Sequence, residues 1–214
     1  MNHTPTPLLH RTLVAVDIVG FGGREPGVQP YLRKVLRRLV KSALKEAGVP
    51  LRSCHHEDRG DGMLVIAPAE AGAGPLLGPF PALLQAGLRS HNLMSSPEAR
   101  LALRVAVHAG YVATDREGAA GAAANHLFRL LDAASFKAAL GDRGAGLGMI
   151  VSRYLYDEIV RPGFALPDPG AFVRIEVECK ETSCDAWAWF PQEGPAGRAE
   201  PDRRLRAVPG EQGP

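Results

Sequence analysis

The sequence predicts an α+β domain, a mixed and largely antiparallel sheet with helices packed on it. Three observations lead there. Short apolar runs of strand length alternate with longer stretches whose apolar residues recur three and four apart. Two strand pairs are close enough in sequence to be hairpins, one of them around Asp58-Arg59-Gly60-Asp61-Gly62, so the sheet cannot be all parallel. The 214 residues, 45% hydrophobic and 22% charged, suit one soluble globular domain with a sizeable core.

Taken in order, residues 1–10 read as a flexible N-terminal arm. A strand over about 11–18 follows, then the turn Gly20-Phe21-Gly22-Gly23 and a loop through Pro30. Residues 31–44 carry apolar side chains at helical spacing, with Gly48 as the residue past the helix end. Residues 51–57 and 63–67 read as the two strands of the first hairpin. A Gly-, Pro- and Ala-rich loop over 69–80 leads to a helix over about 81–92. Residues 101–110 form a strand, 114–121 a short loop, and 122–140 one long helix with Leu127, Phe128, Leu130, Leu131, Phe136 and Leu140 on its apolar side. A strand at 148–152, a short helix at 154–160 and a closing hairpin of 172–177 with 186–190 complete the domain, which spans 11–191. Trp187 and Trp189 alternate with Ala and share one strand face, so they read as core or dimer packing. Residues 192–214, mostly Gly, Pro, Arg and Glu, read as a disordered tail.

Composition excludes several classes. A formal net charge of +2 gives no bulk electrostatic case for nucleic acid or an anionic membrane. No apolar run reaches membrane-span length, and Met1-Asn2-His3-Thr4-Pro5 lacks the charged and apolar regions of a signal peptide. Cys54, Cys179 and Cys184 form no disulfide framework and no zinc pattern, which suits a reducing cytoplasm. His55, His56 and His108 have no metal-ligand spacing and read as structural. The Arg and Lys residues at 33, 34, 37, 38 and 41 read as a solvated helix face.

The chemistry gathers around Leu13-Val14-Ala15-Val16-Asp17-Ile18-Val19-Gly20-Phe21-Gly22-Gly23. A carboxylate at the end of a buried strand needs a cation. The Gly turn after it can bring backbone N–H groups to an anion. A second carboxylate, Asp61, lies in the first hairpin turn and meets Asp17 if the two strands are neighbours. Two such carboxylates repel unless a divalent cation lies between them, and oxygen ligands suit Mg²⁺ or Mn²⁺. On the long helix, Asn125 and Arg129 are four apart and share a face. An amide and a guanidinium so placed can orient a sugar and neutralise a phosphoryl transition state. The plainer alternatives are a turn-capping Asp17 and a wet helix face for Asn125 and Arg129.

Val16-Asp17-Ile18-Val19-Gly20-Phe21, Arg59-Gly60-Asp61-Gly62-Met63-Leu64, Val107-His108-Ala109-Gly110-Tyr111-Val112 and Asn125-x-x-x-Arg129-Leu130, in that order, resemble the class III nucleotide cyclase catalytic domain, the adenylyl and guanylyl cyclase family. The overall composition resembles small stand-alone cyclase-like proteins of actinobacteria. The resemblance implies a ferredoxin-like βαββαβ core working as a homodimer on a nucleoside triphosphate. Two Mg²⁺ or Mn²⁺ ions would be held by Asp17, Asp61 and the Ile18 carbonyl. Asn125 matches the ribose-orienting residue, Arg129 the transition-state arginine and Lys180 the phosphate-contacting lysine, although the Gly expected next is Glu181. Phe21 and Gly22 fall in the phosphate-facing turn. Asp17 and Asp61 of one subunit would face Glu57, Asn125, Arg129 and Lys180 of the other.

For the base, the resemblance implies reading by Glu57 and Gly118. A carboxylate accepts from the guanine N1–H and N2–H₂ donors, so Glu57 favours GTP. Gly118 reads nothing with a side chain, which leaves room for a pyrimidine nucleotide, as in bacterial antiphage signalling. The Ala-rich stretch over 119–124 departs from the bulkier family pattern. It keeps open a second function, a nucleotide- or protein-binding regulatory module with weak or no turnover. A diguanylate cyclase relative is a third reading, without that family's hairpin signature. Regulation is expected from a separate partner protein.

Overall fold

A computed structural model of the chain describes residues 7–115, 118–164 and 167–191. The sheet is built outward from β1 (Leu9–Ile18), which pairs antiparallel with β3 (Gly62–Ile66) on one side and with β4 (Leu103–Thr114) on the other. Strand β2 (His55–Asp58) closes the first hairpin against β3. Beyond β4 lie β6 (Leu147–Ser152), β8 (Thr182–Trp189) and β7 (Phe172–Cys179), giving the order β2-β3-β1-β4-β6-β8-β7, and the short β5 (Ala119–Ala120) pairs with β4 outside that path. Among the described residues only β4 and β6 run parallel; the other pairs are antiparallel. Strands β1 to β4 with the two long helices between them form the expected βαββαβ core in an α+β fold.

Helices cover both faces. On one, α1 (Gln29–Glu46) and α3 (Pro79–Leu93) bury Leu32, Leu36, Leu39, Phe80 and Leu84 against Val14, Val16 and Ile18. On the other, α4 (Ala122–Asp132) and α5 (Ala134–Asp142) bury Leu127, Leu130, Leu131 and Phe136 against Leu13 and Ala15. Alternate residues of β1 therefore enter two separate cores, and Leu13 to Val16 are each at most 1% exposed. Burial on both faces is why this strand reads as a continuous apolar run rather than an alternating one.

Several boundaries differ from the sequence reading: β4 runs on to Thr114, the expected loop over 114–121 holds β5 paired to it, and the closing hairpin reaches Cys179 and starts again at Thr182. Strand β1 starts at Leu9, inside the expected arm, because His10 sets its ring edge-on to Tyr111 and Tyr154. Residues 51–53 form a 3-10 turn, so β2 starts at His55. The expected loop over 69–80 holds a further turn of helix, α2 (Gly74–Leu77), whose Leu76 and Leu77 are buried. The single helix expected over 122–140 breaks at Ala133, which is extended (φ −54°, ψ 126°) and fully buried. The break turns α5 so that Phe136 fills the core while Ser135 donates to the Glu176 carbonyl on β7. No Gly or Pro marks that bend, so no local signal announced it. A three-residue helix, α6 (Arg153–Leu155), runs into a π-helical turn at Tyr156–Val160, and Tyr156 stacks on Trp187 at 4.3 Å. Residues 1–6 of the expected arm and the expected tail over 192–214 lie outside the described residues.

His108 sits where β4, β6 and α4 meet. Its Nδ1 lies 2.9 Å from the buried Ser152 hydroxyl, and its ring stands edge-on to His126 at 4.7 Å. Burial, followed by the neighbouring His126 and His10, holds its pKa down at about 4, below the ordinary histidine value of 6.5. A depressed histidine contributes stability above its unfolded pKa and loses it as pH falls through the folded one. We expect the stability of the chain to fall by on the order of 3 kcal/mol between pH 6.5 and 4 from this group. The check is urea unfolding across that range on wild type and His108→Asn. The variant should show a visibly flatter pH dependence; superimposable profiles would rule the assignment out.

Candidate functional site

Asp17 ends β1 on the face that α4 covers, by the same alternation that turns Leu13 and Ala15 that way. It is 9% exposed. Its cross-strand partner on β4 is Arg104, whose Nε donates to Oδ1 at 3.0 Å and whose Nη2 donates to Oδ2. Burial still raises the Asp17 pKa above the ordinary carboxylate value; Arg104 pulls it down, and the charges of Asp61 and Asp132 push it up further. Two of these three neighbours, Arg104 and Asp132, escaped the sequence reading. The β1–β4 register is the signal that locates Arg104, and it requires knowing which strands are neighbours.

The hairpin carrying Asp61 is held against this strand end by a missing side chain. A Cβ on Gly62 would stand 2.6 Å from the Val16 carbonyl oxygen and 3.1 Å from the Asp17 Cβ. The Ile18 N–H donates to the Asp61 carbonyl at 3.0 Å, and Asp61 itself is exposed. After Ile18 the chain turns through Gly20 (φ 67°) into one 3-10 turn, Phe21–Gly23. Phe21 packs on the α1/α3 core, whereas Gly22 and Gly23 have open space where a Cβ would stand. In kind, the donors fit a hard divalent cation: two carboxylates and a strand-end carbonyl. Among the described residues no group of three or more His, Cys, Asp or Glu is placed to hold a metal ion. Water or substrate oxygens would therefore complete the shell of a cation at Asp17 and Asp61.

The two residues expected to read the base meet within one chain. Glu57 Oε1 accepts from the Ala119 N–H at 2.7 Å and lies 3.1 Å from His55 Nε2, while Arg59 approaches Oε2 at 3.5 Å. The Arg59 guanidinium also covers the Phe128 ring of α4 at 4.7 Å. Gly118 has φ 138°, and a Cβ there would stand 3.1 Å from Glu57 Oε1. Glycine at this position thus lets the β5 backbone close on Glu57. The Ala-rich stretch has a packing reason too. Ala123 and Ala124 are buried at the start of α4, and a Cβ on Gly110 would stand 2.9 Å from the Ala123 Cβ, so small residues let the helix lie close on β4.

Asn125 is exposed on α4, one turn before Arg129. Arg129 reaches the β7–β8 turn, where it donates to Thr182 Oγ1 at 3.0 Å and pairs with Glu181. Lys180 in the same turn is exposed, with φ 52°, the left-handed region that costs a non-glycine residue energy. Glu181, where the resemblance leads one to expect Gly, is the intramolecular partner of Arg129.

Three groups result. Asp17, Asp61, Ile18, Phe21 and Gly22 converge at one sheet edge. Glu57 and Gly118 touch. Asn125, Arg129 and Lys180 gather around α4 and the β7–β8 turn. Among the described residues no hydrogen bond or ion pair joins the first group to the third. The β8 ladder explains part of this: Trp189 pairs with Met149 near the Asp17 edge, while Lys180 and Glu181 lie at the other end of the strand.

No family model and no curated protein matches the sequence. Solved structures do match the fold. An adenylate/guanylate cyclase/hydrolase from Silicibacter pomeroyi aligns over 87% of this chain and 99% of its own at 19% identity, with a TM-score of 0.64. The guanylyl cyclase Cya2 aligns over 91% and 98% at 15% identity (TM-score 0.60). The guanylate cyclase domain of a protein from Catenaria anguillulae, in complex with GTP, aligns over 86% and 97% at 16% identity (TM-score 0.52). The chain has the fold of the class III nucleotide cyclase catalytic domain.

Proposed function

We propose that the protein is a metal-dependent nucleotide cyclase that converts a nucleoside triphosphate, with GTP favoured, to a 3′,5′-cyclic monophosphate and diphosphate. The observation that carries this reading is the Asp17 and Asp61 pair beside an open Gly turn at the edge of a cyclase-fold sheet. That Asn125, Arg129 and Lys180 make no hydrogen bond or ion pair to that pair, among the described residues, favours a site shared between two copies of the chain.

In the reaction, the 3′-oxygen forms a bond to the α-phosphorus, the bond from that phosphorus to the diphosphate oxygen breaks, and the hydroxyl proton passes to water. When bound, divalent cations supply Lewis-acid activation of the hydroxyl and charge neutralisation along the triphosphate. The chain's own residues position and neutralise. Asp17 and Asp61 would hold the cation, and Arg104, which donates to both Asp17 oxygens, places a guanidinium beside that site that could also meet a phosphate oxygen. Asn125 of the other subunit orients the ribose, and its Arg129 and Lys180 take up charge on the phosphoryl group and the leaving diphosphate. Glu57 keeps acceptor capacity on Oε2 for the guanine N–H donors.

A second reading, a regulatory module that binds a nucleotide or protein without turnover, is favoured by one specific observation. Both oxygens of Asp17 are engaged by Arg104, and Arg129 is engaged by Glu181.

Three outcomes test these readings. Purified protein with Mn²⁺ or Mg²⁺ should yield cyclic GMP from GTP in preference to products from ATP, CTP and UTP, by mass spectrometry. Asp17→Ala should lose at least about a hundredfold in turnover. A folded protein that makes no cyclic product from any of the four favours the regulatory reading. Second, Asp17→Ala and Arg129→Ala, each inactive alone, should regain a fraction of wild-type activity when mixed. Heterodimers that form but stay inactive would sink the shared site. Third, an exposed ion pair contributes about 0.2–1 kcal/mol. Glu181→Ala should therefore raise turnover up to about fivefold by freeing Arg129; an unchanged or lower rate would mean that the pair does not restrain it.

A further inference from the structure

Away from the Asp17 edge's α4 face, a cleft of about 590 Å³ opens between α3, the start of β4 and the start of β6. That volume is in the range of small-ligand sites. Leu88, Leu101 and Leu147, all at most 3% exposed, give it an apolar floor. Among the described residues, three arginines line it, Arg24, Arg89 and Arg100, and no Asp or Glu does. Among the described residues, Arg89 and Arg100 have no acidic partner. Arg24 is fixed: it donates to the carbonyls of Glu98 at 3.2 Å and Arg100 at 3.1 Å. One wall is rigid as well, because the Asn92 side chain makes both backbone hydrogen bonds of Leu101, at 2.7 and 2.9 Å.

Arg89 and Arg100 are both exposed at the rim of the cleft, so an anion there would meet two unpaired positive charges beside an apolar floor. Guanidinium groups match carboxylate, sulfonate and phosphate oxygens in geometry as well as charge. We propose that this cleft is a second ligand site, separate from the nucleotide site, for a small organic anion: an oxyanion head held by Arg89 and Arg100 on an apolar body lying over Leu88, Leu101 and Leu147. Its occupant touches the segment that follows Asp17. Arg24 terminates the Phe21–Gly23 turn, and the Val19 N–H donates to the Ala102 carbonyl in the cleft wall at 2.9 Å. The site is thereby placed to act on the phosphate-facing turn, although binding itself does not depend on turnover.

The test is a fluorescence titration of the full chain with 8-anilinonaphthalene-1-sulfonate, beside uncharged N-phenyl-1-naphthylamine. We expect one sulfonate per chain, bound at least about tenfold more tightly than the neutral probe, and weakened about tenfold or more by Arg89→Ala with Arg100→Ala. Gln85→Glu, which keeps both arginines but adds a negative charge to the lining, should weaken it too and guards against a folding defect in the double variant. Displacement by octanoate or by phenyl phosphate identifies the preferred head group, carboxylate or phosphate. Equal binding of the neutral probe, affinity unchanged in both variants, displacement by neither anion, or displacement by GTP would each overturn the proposal.

Discussion

A carboxylate cannot end a strand buried on both faces without a positive charge beside it, and Arg104 is that charge in this chain. The rest of the arrangement depends on the pairing. It fixes the β1–β4 register at the edge where the sheet opens, and it keeps an otherwise prohibitive buried anion in place. It also makes Asp17 conditional. Any cation proposed to bind there would have to compete with Arg104 for both oxygens of that carboxylate. Arg129 and Glu181 repeat this logic at the surface, with a weaker and more solvated pair.

Much of the architecture was legible in the sequence because it is written in local pattern. The apolar run of β1, the 3.6-residue spacing of α1 and the Asp-Arg-Gly-Asp-Gly turn each state their own conformation. What escaped was set by tertiary contact. The bend at Ala133 has no Gly or Pro and exists because Phe136 and Ser135 need another direction from that of α4. The 3-10 turn at Leu51–Ser53 and the helix at Gly74–Leu77 are short pieces that periodicity cannot distinguish from loop.

The candidate site divides the same way. Asp17 and Asp61 could be picked out because carboxylates at a strand end and in a hairpin turn are conspicuous in an apolar context. Arg104 was invisible, since it is one polar residue among many on a strand and acquires meaning only when β4 is known to lie next to β1. Gly118 looked like a lost recognition residue. In the fold it meets a backbone requirement: its φ of 138° strains any side chain, and a Cβ would crowd Glu57 Oε1 at 3.1 Å. The alanines after it likewise serve the close seating of α4 on β4, which a helix of bulkier residues could not reach.

Gly62 separates two properties that usually travel together. The sheet needs β3 beside β1, and that pairing is secured along Leu13 to Val16 by residues buried in both cores. The approach of the Asp61 turn to Asp17 rests on the last rung, where Gly62 lacks a Cβ, and on the Ile18 N–H to Asp61 carbonyl hydrogen bond beyond it. A lineage that acquired any side chain there would keep its topology, its cores and its likeness to the cyclase structures while its two charges drifted apart. Comparison of folds would not register that change.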